Sequence, residues 1–594
     1  MKELYVLNKY FIKYKWHFLF GVVFVAMSNY FRVLQPQMIR EALDLVVENI
    51  SLYRQLDGFT LQREFFGVLG RTLLFFGVLV LILALLMGVF MYFMRQTIIV
   101  MSRLIEYDMR KELFNHYERL DLAFYKKNNT GDLMSRITED VTKVRMYLGP
   151  AILYFINLST LFVFVIYSML EVSIELSMYV LAPLPFLSLS IYYVSSLINK
   201  RSTIIQQQLA TLNSTSQEVY SGIRVVKSYV QEKAMGRFFG HQSQIYMDKS
   251  MDLARVNAMF FPLMMLLVGA STILTVYIGG LQVTKGAVTP GNIAEFVIYV
   301  NMLTWPVTAI GWIASIVQQA AASQKRINEF LEVKPSITSP IEDKASLEGS
   351  IHFDEVTFTY PDTGITALKD ISFKLKPGEK MAILGRTGSG KTTLADLLLR
   401  MYDVTGGQIK IDGQDIRSLD LSNLRRRIGY VPQDVFLFSN TISKNIAFGK
   451  KDASQENIEQ FTKYAAVYED ILGLNKGFDT LVGERGVTLS GGQKQRVSIA
   501  RALIKEPDII VLDDCLSAVD TNTEAQILGY FNESLQDKTT LVITHRIYAH
   551  LKFDKIIVLE DGKIVEEGSH ETLLANKGYY FDLYEKQTME EVGS

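Results

Sequence analysis

The sequence predicts an all-α membrane domain of six spans fused to a soluble α/β domain built on a phosphate-binding loop. Three observations predict it. Composition divides the 594 residues near residue 330, with long uncharged stretches before that point and a soluble α/β pattern after it. Charge-free windows run from Thr72 to Met94, Met146 to Leu170, Leu176 to Asn199, Val256 to Thr284 and Phe296 to Gln324. Each exceeds the roughly 20 residues a helix needs to cross the hydrocarbon core. The segment Gly385-Arg386-Thr387-Gly388-Ser389-Gly390-Lys391-Thr392 then fits two glycines flanking four residues, followed by Lys and Ser/Thr.

The spans come first in chain order. Windows of this length, so many times over, argue against buried core helices of a large soluble protein. A sixth, weaker span begins at Trp16 and carries Arg32 near its far end. An arginine is costly in lipid. It faces a cavity or the outer interface, or it snorkels to the membrane surface, and the sequence leaves these open. Trp305 and Trp312 in the last span either line an apolar cavity or pack between helices. The N-terminus, with Lys9, Lys13 and Lys15 before an apolar run, lacks a small-residue cleavage site and reads as a cytoplasmic lead-in helix.

Loop charges set the orientation. The segments at about 95–145 and 200–255 are long and rich in Lys and Arg. The short Glu171–Glu175 connection has no basic residue, and the 285–295 segment has only Lys285. The positive-inside rule places both long loops, both termini and the α/β domain in the cytoplasm. The 40–71 segment is an outer loop of mixed charge.

The phosphate loop sits in the context its chemistry requires. An apolar strand-like run, Lys380–Leu384, precedes it and a helix-like run, Thr393–Leu399, follows it. Backbone N–H groups of such a loop point at a nucleotide's phosphates, and the following helix adds its positive dipole end. Glycines let the backbone close without Cβ clashes. Lys391 would reach the β- and γ-phosphates, and the Thr392 hydroxyl would ligate Mg²⁺. Residues Gly385 to Thr393 are therefore the expected phosphate-binding set.

A second group of motifs narrows the class. Leu489-Ser490-Gly491-Gly492-Gln493-Lys494-Gln495-Arg496 resembles the signature of ATP-binding cassette proteins. Asp508-Ile509-Ile510-Val511-Leu512-Asp513 is an apolar run ending in an acid, like the Walker B element. Tyr360 stands where that family stacks an aromatic ring on adenine, and Gln433 lies in Tyr430-Val431-Pro432-Gln433-Asp434. Ser517-Ala518-Val519-Asp520 resembles the D-loop, and His545 in Ile543-Thr544-His545-Arg546 resembles the switch histidine. The chain is identified by these as a member of the ATP-binding cassette (ABC) family. Phe124-Tyr125-Lys126-Lys127-Asn128-Asn129-Thr130-Gly131-Asp132-Leu133-Met134-Ser135-Arg136 and Glu218-Val219-Tyr220-Ser221-Gly222-Ile223-Arg224-Val225-Val226-Lys227 resemble the two coupling regions of its exporters. The resemblance implies an all-α six-helix exporter-type transmembrane domain over 1–332 and a soluble α/β P-loop ATP-binding cassette domain over 348–594. The proline-marked run from Lys334 to Pro340 falls in a linker at 333–347.

That family also implies roles. Lys391 and the Gly385–Gly390 backbone hold ATP's phosphates; Thr392, Gln433 and Asp513 serve Mg²⁺, Asp513 through water. His545 contacts the γ-phosphate. Ser490, Gly491 and Gly492, with Leu489 and Gln493 beside them, serve the nucleotide of the opposite subunit, and Ser517 and Asp520 belong to the D-loop. The carboxylate that polarises the attacking water is the departure from pattern: the residue after the Walker B Asp is normally Glu, and here it is Asp514. One methylene retracts the carboxylate by roughly an ångström, a displacement that can cost on the order of 10²-fold in rate.

One cassette and one set of spans make half a transporter, because a phosphate loop of this family needs the signature of a second cassette. An intact signature with a shortened carboxylate favours a heterodimer whose partner supplies the glutamate. A homodimer with a slow site and a site whose backbone compensates are the other readings, and the retained His545 weighs against the heterodimer. The expected function is ATP-driven export or flipping of amphipathic drugs or lipids across a bacterial inner membrane. The alternative is a nucleotide-gated channel or regulatory membrane protein on the same scaffold. A net charge of −1 argues against a nucleic-acid role. The single cysteine, Cys515, excludes a disulfide framework and reads as a small buried filler.

Overall fold

The computed structural model describes residues 2–593 except 340–346, 484, 485, 487, 535, 536, 549 and 550. Most of the expected linker therefore lies outside the described residues. The chain forms two compact units: Met1–His116 with Gly131–Val333, and Tyr117–Thr130 with Lys334–Ser594. The short segment Tyr117–Thr130 thus belongs with the second unit, an assignment that a single cut at residue 332 does not contain.

The first unit is helical. Among the described residues, five helices are long and apolar enough to cross a membrane: α1 (Lys15–Gln55), α2 (Thr60–Tyr117), α3 (Thr130–Val172), α6 (Glu232–Thr284) and α7 (Pro290–Leu331). The 176–199 window, expected as one span, is divided between α4 (Ile174–Leu181) and α5 (Pro183–Ser221). Ala182 between them keeps helical φ −54° and ψ −37°, so the run stays helical, with Pro183 lacking the N–H for one ladder bond. Ser173 caps α4, its side chain accepting from Leu176 N.

Outward faces of these helices carry large apolar residues in the open, among them Leu74, Leu81 and Leu85 of α2 and Met265 and Ile273 of α6. Exposed apolar surface on this scale belongs to a helix whose solvent is lipid. The inner packing joins α1, α3, α4 and α7 through Val33, Leu161, Val165, Val180, Phe296 and Tyr299. The two tryptophans of α7 both touch Tyr154, Trp305 at 5.5 Å and Trp312 at 5.4 Å, and both keep much of their surface exposed. Arg32 is half-buried. A buried charge at the start of α7, just before the charge-free window, has more partners. Glu295 is fully buried and pairs with Arg40 at 3.1 Å, while Tyr299 Oη donates to it at 2.9 Å. The start of α7 is tied to α1 as well, Gly291 N donating to Asp44 at 2.7 Å.

The second unit holds two sheets. A four-stranded antiparallel sheet has the order β2-β1-β4-β5, from β1 (Ile351–Thr359), β2 (Thr366–Leu375), β4 (Gly406–Ile411) and β5 (Gln414–Asp415). The six-stranded sheet runs β10-β9-β3-β8-β7-β6. It contains β3 (Lys380–Gly385), β6 (Ile428–Val431), β7 (Ile509–Asp513), β8 (Thr539–Ile543), β9 (Lys555–Glu560) and β10 (Lys563–Gly568). All its pairings are parallel except β9 with β10. Every residue of β7 and β8 is buried, the continuous apolar signature of a strand covered on both faces.

Candidate nucleotide site

Parallel strands β3, β8 and β7 lie side by side, so three chain segments leave the sheet at one edge. Past β3 comes the phosphate loop, past β8 comes His545, and β7 ends in Asp513 and Asp514. The carboxyl ends of neighbouring parallel strands are where open α/β sheets form their ligand crevices. The loop closes as its glycines permit. Gly390 has φ +99°, and a Cβ there would stand 2.6 Å from the Ala367 carbonyl oxygen; Gly385, at φ +151°, lies against the Leu559 carbonyl. Helix α8 (Lys391–Leu398) starts directly after Gly390, aiming its N-terminal dipole into the crevice.

A cavity of about 660 Å³ opens there. Its wall includes Tyr360, Thr387, Gly388, Gly390, Lys391, Thr392, Thr393, Gln433, Asp513, Asp514 and His545, so the motif residues of the phosphate loop, Walker B and switch converge on one space. Lys391 Nζ donates to the carbonyls of Gly385 and Arg386, each at 2.7 Å. Burial pushes its pKa down, and Asp513 and Asp514 oppose that push. Ser389 is buried within the loop. Tyr360 reaches inward, its hydroxyl 2.9 Å from Thr393 Oγ1.

The acidic end is graded. Asp513 is buried, and burial pushes its pKa up to about 6, Thr392 holding it down in part by a hydrogen bond. Its Oδ2 has no hydrogen-bond partner. A buried carboxylate oxygen left unpaired beside a threonine hydroxyl is a site a divalent cation suits. Asp514 takes the left-handed conformation at φ +46°, unusual for a residue with a side chain and typical of functional positions. Its Oδ1 lies 2.9 Å from His545 Nδ1, and Gln433 Nε2 donates to Oδ2 at 3.4 Å. Cys515 next to it is buried, and burial pushes its thiol pKa up, as a filler requires.

Leu489, Ser490, Gly491, Gly492 and Gln493 are not on the cavity wall. They start helix α9 (Gly491–Leu503), where Ser490 and Gln493 form a reciprocal capping box. Gln493 Nε2 also donates to Asp470 at 3.0 Å. Ser517 links the two places: its hydroxyl donates to the Asp514 carbonyl at 3.0 Å and accepts from Gln495 Nε2 at 3.2 Å. Asp520 lies beyond, its carboxylate accepting from Thr523 N at 3.0 Å.

Sequence reasoning did not place Lys126 here. Its ammonium stands 4.9 Å from the ring centre of Tyr360 and 5.3 Å from that of Tyr402, and it lines the cavity. The short helix Leu122–Lys127 presents it, with Leu122 and Ala123 packed on the core of the second unit. Neighbouring Lys126 and Lys127 are equivalent on paper; only the helix phase selects between them.

Residues 18–307 match the family profile described as ABC transporter transmembrane region, and 368–517 the profile described as ABC transporter. The chain belongs to the ABC transporter family and carries its ATP-binding cassette domain. Among curated proteins it is 40% identical over 499 residues to the probable multidrug resistance ABC transporter ATP-binding/permease protein YheI of Bacillus subtilis, covering 83% of this chain and 85% of that one. It is 35% identical over 522 residues to the multidrug resistance-like ATP-binding protein MdlA of Escherichia coli, covering 88% of each. Among solved structures, a bacterial Atm1-family ABC exporter with ATP bound superposes with a TM-score of 0.75 at 25% identity, covering 98% of this chain and 99% of the other.

Proposed function

We propose that this chain is one half of an exporter that uses ATP to move or flip amphipathic drugs or lipids across a bacterial inner membrane, with its cassette and both termini cytoplasmic. The observation that carries the reading is a cavity holding Lys391, Asp513, Asp514 and His545 that none of the signature residues lines. Such a cavity gains its signature only from a second cassette, so the working unit is a dimer. Six crossings per chain are the complement, with the 176–199 run as the sixth; the relatives' names support a multidrug substrate class.

In this reading Tyr360 stacks on adenine, the Gly385–Gly390 backbone and Lys391 hold the phosphates, and Thr392, Gln433 and Asp513 hold Mg²⁺. The ion supplies charge neutralisation at the phosphates when bound. Asp514 orients the attacking water and His545 reads the γ-phosphate, so that catalysis is positioning and electrostatics. ATP binding clamps two cassettes together and turns the membrane cavity outward; hydrolysis resets it. The shortened Asp514 supports a heterodimer. A homodimer is the second reading, favoured by the 2.9 Å approach of Asp514 to His545, which keeps the carboxylate in the cavity.

Reconstitution tests the function. Inside-out vesicles given ATP and Mg²⁺ should accumulate an amphipathic dye against its gradient, and Lys391→Ala vesicles should not. Dye that only equilibrates would identify a nucleotide-gated channel instead.

A further inference from the structure

Helix α11 (Tyr579–Gly593) belongs to none of the motifs, yet it touches two segments that meet at the cavity. With α10 (His570–Asn576) it packs against β3 and β9 of the six-stranded sheet. Leu573 and Tyr580 join Ala382 and Leu384 of β3 in a buried cluster, and Tyr579, Leu583 and Ile547 pack against it. The strand under this cluster is the one that delivers the phosphate loop. From the cluster, the Tyr579 ring extends to the Arg386 guanidinium, 5.8 Å away within that loop. Farther along, Gln587 Oε1 accepts a hydrogen bond from Ile547 N at 2.8 Å.

Ile547 lies two residues past His545. The turn between them is short of other anchors: Arg546 N donates to Thr544 Oγ1 at 3.0 Å, and Thr544 meets the buried Tyr548 hydroxyl at 3.3 Å. Gln587 therefore accepts from a backbone donor of this turn, the Ile547 N–H. Its own position is well set. Glu566 accepts from the N–H groups of Tyr579 and Tyr580, and His570 Nδ1 lies 2.6 Å from Tyr580 Oη, so the helix start has a defined register. Eight residues later, a rise of roughly 12 Å brings Gln587 to the turn.

We propose that Gln587 is a positioning residue for hydrolysis: through Ile547 it holds His545 in register with Asp514, so that α11 ties the switch turn to the phosphate loop it already contacts at Arg386. This inference rests on the reading of His545 as the group that senses the γ-phosphate. An acceptor oxygen is what the position needs. Gln587→Glu keeps one, and Gln587→Leu does not.

The test uses nanodiscs of the full chain paired with its half-transporter partner, whose own phosphate-loop lysine is replaced by alanine so that phosphate comes from this chain's cavity. It reads single-turnover release from bound ATP, which remains measurable at a slow site. Gln587→Leu should lower that rate about tenfold, as a displaced catalytic group does. ADP has no γ-phosphate, so its affinity should stay within about twofold, and Gln587→Glu should keep the parental rate within about twofold. In a His545→Ala background, Gln587→Leu should cost nothing more, because the two act as one unit. A parental rate in Gln587→Leu overturns the proposal. So does a loss that Gln587→Glu fails to restore, a loss repeated in full on top of His545→Ala, or a fall in ADP affinity to match. If His545→Ala alone hydrolyses at the parental rate, the assigned role of His545 is what fails, and this inference falls with it.

Discussion

The phosphate-loop cavity and the signature helix belong to one cassette, yet they are finished to different degrees. In the cavity, three strand ends bring Lys391, Asp513, Asp514 and His545 onto one wall. At the signature, Ser490 and Gln493 are spent on each other, capping the helix they begin. Under the reading proposed above, the cavity is completed by the signature of a second cassette, and this chain's signature serves that cassette in turn. Ser517 stands between them, bonded to both the Asp514 carbonyl and Gln495.

The comparison breaks most sharply under Ser490→Arg. A bulky cation at the signature would meet the partner's γ-phosphate and prevent close approach of the two cassettes. Co-expressed with the half-transporter it pairs with, the variant should lose nearly all dye efflux. Asp514→Asn should cost far less in a heterodimer, since it weakens a site already handicapped by a short carboxylate. Equal, near-complete loss in both variants would mark a homodimer.

Next in size is Lys391→Ala. Removing the charge-assisted bonds of one ammonium to phosphate should weaken nucleotide binding at this chain's cavity by about 100-fold. Labelling with an azido-nucleotide at limiting dose would show it, and the signature's service to the partner should be untouched. Undiminished labelling would remove Lys391 from the phosphate site.

Much of this was legible in the sequence, and for a physical reason. Phosphate chemistry demands fixed residue types at short spacings, so Gly385–Thr392 and Asp513–Asp514 announce themselves in a linear string. Long apolar windows are equally local. Contacts between distant segments are not. Arg40 and Glu295 pair across 255 positions, Lys126 meets Tyr360 only after folding, and Gln587 has no reason on paper to find Ile547. The ladder bond missing at Pro183 was readable, since proline has no N–H, but it does not end the helical run.

Asp514→Glu should have a smaller and opposite effect. The added methylene extends the carboxylate toward the position that orients water, and phosphate release by the purified chain should rise severalfold. The gain is bounded because Asp514 already reaches His545 at 2.9 Å. An unchanged or lower rate would show that the left-handed backbone at this position, φ +46°, had already compensated for the missing methylene.

The smallest effect falls on the signature helix itself. Gln493 accepts from Ser490 N at 3.1 Å and donates to Asp470 at 3.0 Å. Gln493→Ala removes both bonds and leaves the Ser490 N–H without its capping partner. Loss of one such cap costs about 1 kcal/mol, and the bond to the Asp470 carboxylate adds a fraction of that because the pair is only partly shielded from water. The cassette should therefore melt a few degrees lower by calorimetry. Azido-nucleotide labelling of the Lys391 cavity should not change, because no atom of Gln493 lines it. A labelling loss comparable to that of Lys391→Ala would mean that the signature cap supports this chain's own phosphate loop through Gln495 and Ser517. The two ends of the cassette would then be one site rather than two halves of different ones.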